Sequence, residues 1–183
     1  FFAAYLPGMG LYAVYCQDKF NFAMSEAGIF TILNVIAAGA ASFAAGKLGD
    51  KYGHKASMML AYFGHLTAVV LAIFSQNMFW VYGIFMAIGV GQGAFMPSAM
   101  NLIYDFADDR DTKTYMALVD SFLAPFVLIF ILGIGAFIKM DYYSTSLYII
   151  GTCIIIGMCI LQFIVKDPKK SPKLAFNSDG FSS

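Results

Sequence analysis

Six long apolar runs, separated by short polar stretches, set what this chain can become. They lie at about 1–16, 27–45, 56–74, 78–104, 115–138 and 144–165. A helix that crosses a bilayer needs about 20 predominantly apolar residues. No run alternates apolar and polar residues as a barrel strand does. Inside lipid every backbone polar group must be satisfied within the protein, and a helix does this within one segment. The runs therefore predict an all-α membrane protein of six transmembrane helices, with the first helix truncated at position 1. Only "SQN" separates the third and fourth runs, which predicts a tight turn.

Composition agrees. Hydrophobic residues make up 60% of the chain and charged residues 12%, against about half and a quarter in soluble domains. The 11 basic and 11 acidic residues cancel, so no electrostatic footprint for nucleic acid is present. Cys16, Cys153 and Cys159 lack metal-ligand spacing and lie in or beside apolar runs. They are expected to be small packing residues, and no metal or cofactor is expected. No nucleophile–base pair and no phosphate-binding loop stands out, so an enzyme is not expected.

The loops set a direction. Lys47, Lys51, Lys55, Arg110, Lys113, Lys166, Lys169, Lys170 and Lys173 fall on one side, and only Lys19 and Lys139 on the other. Cytoplasmic loops are enriched in Lys and Arg. The 46–55 and 105–114 loops and the C-terminal tail are thus expected in the cytoplasm, with the tail lysines placed to touch anionic membrane lipid. Residues 1–168 read as one transmembrane unit and 169–183 as a disordered tail rich in lysine and small polar residues.

The stretch "GKLGDKYGHK" at 46–55 is the most informative. Its expected structure is a ten-residue loop reversing the chain between antiparallel helices. Gly46, Gly49 and Gly53 permit tight backbone paths there, and Lys47, Lys51 and Lys55 keep it out of the membrane. Those roles leave Asp50 unexplained. The stretch resembles the signature loop of the major facilitator superfamily, G-x-L-[small]-D-[R/K]-x-G-[R/K]-[R/K]. Gly46, Leu48, Gly49, Asp50, Lys51, Gly53 and Lys55 match it, and His54 departs from it. "YMALVDSFLAPFVLIFILGIGAFI" also resembles the eleventh helix of many bacterial members, and "VKDP" their usual end after helix twelve.

The resemblance implies a fold of twelve helices in two halves, each built from two inverted three-helix repeats. Six spans make one half. The chain's end after the sixth span favours the C-terminal half, helices 7–12, with the N-terminal half as the alternative. The missing six-helix half is then the main protein partner. The resemblance also implies that Asp50 latches onto a helix N-terminus of the opposite half when the cytoplasmic side is closed. A carboxylate so placed gains about 0.3–1 kcal/mol. Without the resemblance, Asp50 reads as a solvated charge beside Lys47 or Lys51.

Ionisable groups within a span are functional candidates by default. Asp120 lies about five residues into the fifth run, or about 7–8 Å from its end at 1.5 Å per residue. It is a candidate for proton coupling or substrate binding, or else is hydrated or bonded to a neighbouring helix. Asn34, Gln92 and Asn101 lie on helices that line the cavity if the family mapping holds. Each either faces the solute or bonds helix to helix. Tyr5, Tyr12 and Tyr15 recur near helical spacing on the first run. The first two are candidates to line a cavity, and Tyr15 fits an interfacial aromatic belt. His65 reads as a packing residue.

"GVGQGAFMP" at 89–97 contains G-x-G-x-G, but no strand precedes it, so a dinucleotide loop is excluded. Small residues for close helix packing, followed by a kink at Pro97, explain it. Pro97 and Pro125 are candidate hinges.

Two functions remain open. The resemblance implies a secondary transporter in the plasma membrane, moving a small-molecule solute by alternating access, with protons as a possible coupling ion. A half-sized membrane scaffold that dimerises or packs with another membrane protein is the alternative.

Overall fold

A computed structural model describes residues 2–106 and 112–165. The tail from 166 onward and residues 107–111, with Arg110, lie outside the described residues. The described residues form six α-helices: α1 (Phe2–Phe20), α2 (Met24–Tyr52), α3 (His54–Phe74), α4 (Met78–Phe106), α5 (Thr112–Lys139) and α6 (Tyr143–Phe163). Five of them, α2 to α6, are long and apolar enough to cross a membrane. The first falls outside that set. Its last turns carry Gln17, Asp18 and Lys19.

The helices run further than the apolar runs. The second ends at Tyr52 rather than near Ala45, and α5 begins at Thr112 rather than Tyr115. Apolarity marks the part of a helix that meets lipid, while backbone hydrogen bonding continues into the polar flank. The connections shrink accordingly. Asn21–Ala23 join α1 to α2, Gly53 alone joins α2 to α3, and Ser75–Asn77 join α3 to α4 as expected.

The pattern of packed pairs has an internal symmetry. The principal contacts are α2 with α4, α3 with α4, α1 with α5, α3 with α6, α2 with α3, α1 with α6 and α5 with α6. Exchanging α1, α2 and α3 for α4, α5 and α6 maps this set onto itself. Three is odd, so the second triplet runs opposite to the first. This is the arrangement of two inverted three-helix repeats.

Packing is tightest around α4, and glycine is the reason. A Cβ on Gly89 would strike the Asn34 carbonyl of α2, and one on Gly93 would strike the backbone of Ala38. On the other side, a Cβ on Gly91 would meet the His65 ring of α3, and one on Gly64 would meet the Gly91 backbone. The small-residue run thus lets α4 lie against two helices at once. Close backbone approach of this kind is how helices associate in lipid, where apolar side chains gain little from leaving a hydrocarbon solvent. Phe30 is buried in the α2–α4 seam, stacked 5.1 Å from Phe85.

Exposure is uneven. Half of the α3 span is buried, against 17% of the α2 span and 6% of the α5 span. Ile32, Val35, Ile36 and Phe43 on α2, and Leu118, Phe122, Ile129 and Leu132 on α5, are exposed.

Candidate functional site

The signature stretch is a helix end and a one-residue turn, not a ten-residue loop. Residues 46–52 are the last two turns of α2, and His54 already opens α3. The reversal is carried by Gly53, whose φ of 92° lies in the region that side chains avoid. Gly49 serves closeness instead. A Cβ there would come within 2.6 Å of His54 Nδ1. Gly46 has open space around its missing Cβ, so no close approach within this chain requires it.

The basic residues of the stretch differ in role. Lys47 Nζ lies 4.4 Å from the centre of the Phe43 ring, and Lys51 Nζ 5.0 Å from that of Tyr52. Lys55 instead donates to the carbonyls of Gln162, at 2.8 Å, and Val165, at 2.7 Å, at the end of α6. Gln162 is in the last turn of α6 and Val165 just beyond it, so a cation there meets the negative end of the helix dipole. Lys55 therefore fastens α3 to α6.

Asp50 is exposed in the last turn of α2. A carboxylate at a helix C-terminus is disfavoured by the dipole, by about as much as it is favoured at an N-terminus, 0.3–1 kcal/mol. No gain within α2 accounts for it there. Local rules broken in this way mark functional positions more often than structural ones.

Asp120 is eight residues past Thr112, about 12 Å along α5, because the helix begins in the polar flank before the apolar run. It is exposed and borders a cavity of about 210 Å³ between α4 and α5, with Phe95, Met96, Met100 and Met116. Asn34 bonds helix to helix: its side-chain amide donates to the Phe85 carbonyl of α4 at 3.0 Å. Gln92 is half-buried, and its Oε1 has no hydrogen-bond partner among the described residues. Asn101 is half-buried on α4.

Tyr5 and Tyr12 are both in the packed interior. The Tyr5 ring lies 4.6 Å from His65 and 5.9 Å from Phe95. The buried Tyr12 hydroxyl has no hydrogen-bond partner among the described residues. His65 is buried, in keeping with a packing role. The candidate hinges Pro97 and Pro125 lie inside α4 and α5, which continue through them. Each removes one helical hydrogen bond, freeing the carbonyls of Gly93 and Ser121.

A polar cluster at the opposite end from the signature turn was not apparent in the sequence. Lys19 Nζ donates to Tyr15 Oη at 2.7 Å and to the Ser75 carbonyl at 2.7 Å, and Tyr15 donates to the Ala72 carbonyl at 3.1 Å. The Tyr143 hydroxyl donates to the Asp18 carboxylate. Tyr15 is thus a buried tie between α1 and α3 rather than a belt residue. The cluster holds α1 to the α3–α4 turn and to α6. The signal available in the sequence was the adjacent opposite pair Asp18–Lys19 at a helix end.

Signature turn, glycine-packed α4 and symmetric helix pairing all fit one family. No curated protein matches the chain. The sequence profile of the Major Facilitator Superfamily matches residues 1–182, nearly the whole chain, and the chain therefore belongs to that superfamily of membrane transporters.

Proposed function

We propose that the chain is one six-helix half, helices 7–12, of a secondary transporter that moves a small solute by alternating access. The observation that carries this is the α2–α3 junction. It is a one-residue turn on Gly53, with Asp50 exposed at a place its own helix disfavours. A charge so placed suits a partner outside the chain, and a helix N-terminus of the other half would supply the complementary dipole. The exposed apolar faces of α2 and α5 support the same reading, because they offer the surface on which a second half would pack. A coupling of about 1–2 kcal/mol at Asp50 biases two conformations without locking either.

In this reading the signature turn and the C-terminal tail face the cytoplasm of a bacterial cell, and the membrane is the plasma membrane. Gly46, Gly49, Lys51, Gly53 and Lys55 shape the latch that Asp50 closes. Asp120 faces the solute path and takes part in proton coupling or solute binding. Pro97 and Pro125 are the weak points about which α4 and α5 bend.

The test is counterflow in vesicles reconstituted with the full-length protein. Saturable exchange of a labelled solute from a panel of small metabolites and cations supports the reading. Absence of exchange across the panel, with folded protein in the vesicles, counts for a scaffold instead.

A further inference from the structure

We propose that the cavity between α4 and α5 is a binding subsite for a monovalent organic cation with an apolar body, and that Asp120 is its counter-charge. The inference rests on the transport reading and names its substrate class.

The cavity wall is almost wholly apolar. Phe95, Met96, Met100 and Met116 form much of it, and Asp120 is its one ionisable group among the described residues. That composition selects its ligand. An anion would meet a like charge. A neutral apolar solute would cover a carboxylate and leave it without a partner, which costs several kcal/mol for a charge. A metal ion needs several oxygen ligands, and this wall offers one carboxylate beside thioethers. What remains is a single positive charge carried on an apolar frame.

The rest of the wall suits such a frame. An aromatic ring in the wall can attract a cation, and Phe95 places a ring there. Methionine is flexible and polarisable, so three thioether chains can adapt to irregular apolar shapes. Floor and sides differ in rigidity. Phe95 is buried and lies 5.9 Å from the Tyr5 ring, which is itself 4.6 Å from His65. Met96 and Met100 are exposed. A buried aromatic floor with exposed, unbranched sides favours recognition by charge and ring over recognition by exact outline. Size is compatible too. A void of about 150 Å³ holds a benzene, so 210 Å³ accommodates one ring and a small ammonium head.

The test is equilibrium dialysis of radiolabelled benzyltrimethylammonium against the full chain purified in mild detergent. Saturable one-to-one binding is expected. Asp120→Asn should weaken it at least about tenfold, and Asp120→Glu by no more than about threefold. Ala99→Phe, which fills the cavity, should abolish it, with all variants eluting as monodisperse protein. The proposal is overturned if folded wild type shows no saturable binding, or if Asp120→Asn binds equally well. It is also overturned if the neutral isostere neopentylbenzene competes as well as the cation, the behaviour of a groove for lipid chains. A protein that exchanges a neutral or anionic solute but does not bind the cation overturns this inference and leaves transport standing. Binding of the cation without exchange of any solute supports the subsite and counts against transport.

Discussion

Lys55 Nζ lies 2.7 Å from the carbonyl oxygen of Val165, so the second residue of α3 holds the end of α6 across 110 positions of sequence. The contact gives one residue of the signature a job inside its own bundle, in addition to its place in the proposed latch.

Replacing Lys55 should therefore act on stability. Lys55→Met removes two charge-assisted hydrogen bonds and uncaps the α6 end. Hydrogen bonds to charged groups contribute about 1.5–3 kcal/mol when buried, and partial exposure reduces this, so about 1 kcal/mol is expected. The melting temperature in detergent should fall by about 2–4 °C, and Lys55→Arg should recover most of it. A variant that melts as wild type would show the contact contributes nothing.

The glycines should separate by geometry. Gly53→Ala forces a side chain to φ 92° and ψ 156° and should cost about 1–3 kcal/mol. Gly93→Ala drives a methyl group into the Ala38 backbone and should cost at least 1–3 kcal/mol by pushing α4 off α2. Gly133→Ala enters open space on α5 and should stabilise the helix by about 0.5–1 kcal/mol. Chemical denaturation in mixed micelles ranks the three, and equal effects at Gly93 and Gly133 would contradict the packing described.

At the other end, Lys19→Met should loosen the cluster that joins α1 to Ser75. Two short donor contacts to the turn are lost, while the Tyr15 bond to Ala72 remains. Hydrogen exchange should quicken at the 75–77 turn and stay unchanged at Gly53. Uniformly faster exchange would point to global destabilisation instead.

The Lys and Arg asymmetry predicts an orientation that labelling can test. With native cysteines replaced, single cysteines at Asn21 and Lys51 should label oppositely in intact cells. An impermeant maleimide is expected to reach position 21 and not 51. The reverse pattern would invert the topology.

Five of the helices were legible because their apolar runs are long enough to cross a membrane. Their ends were not, because residues 46–52 are polar yet continue the hydrogen-bonded turns of α2. Hydropathy reports the solvent around a helix, not where its backbone stops. The glycine run at 89–93 was legible as packing, but not that Gly89 and Gly93 face α2 while Gly91 faces α3. Gly46 and Gly49 look alike in sequence, and only the fold shows one open and the other against His54. Asn34 and Phe85, and Lys19 and Ser75, meet across more than 50 positions, a separation that no local pattern encodes. Asp120 was found by its charge, while the methionine wall beside it required α4 and α5 to be placed together.

The central claim is that Asp50 serves conformational exchange. The most direct measurement is equilibrium exchange of a bound solute across vesicles containing the full-length protein, comparing wild type with Asp50→Asn, alongside solute affinity. Asn keeps the size of Asp and removes its charge. Exchange slowed about tenfold, with affinity within about threefold, is the predicted result, since the loss of up to about 1–2 kcal/mol falls on the states and not on the binding site. Exchange at the wild-type rate with unchanged affinity would contradict the account and leave the junction as a tight, positively charged turn.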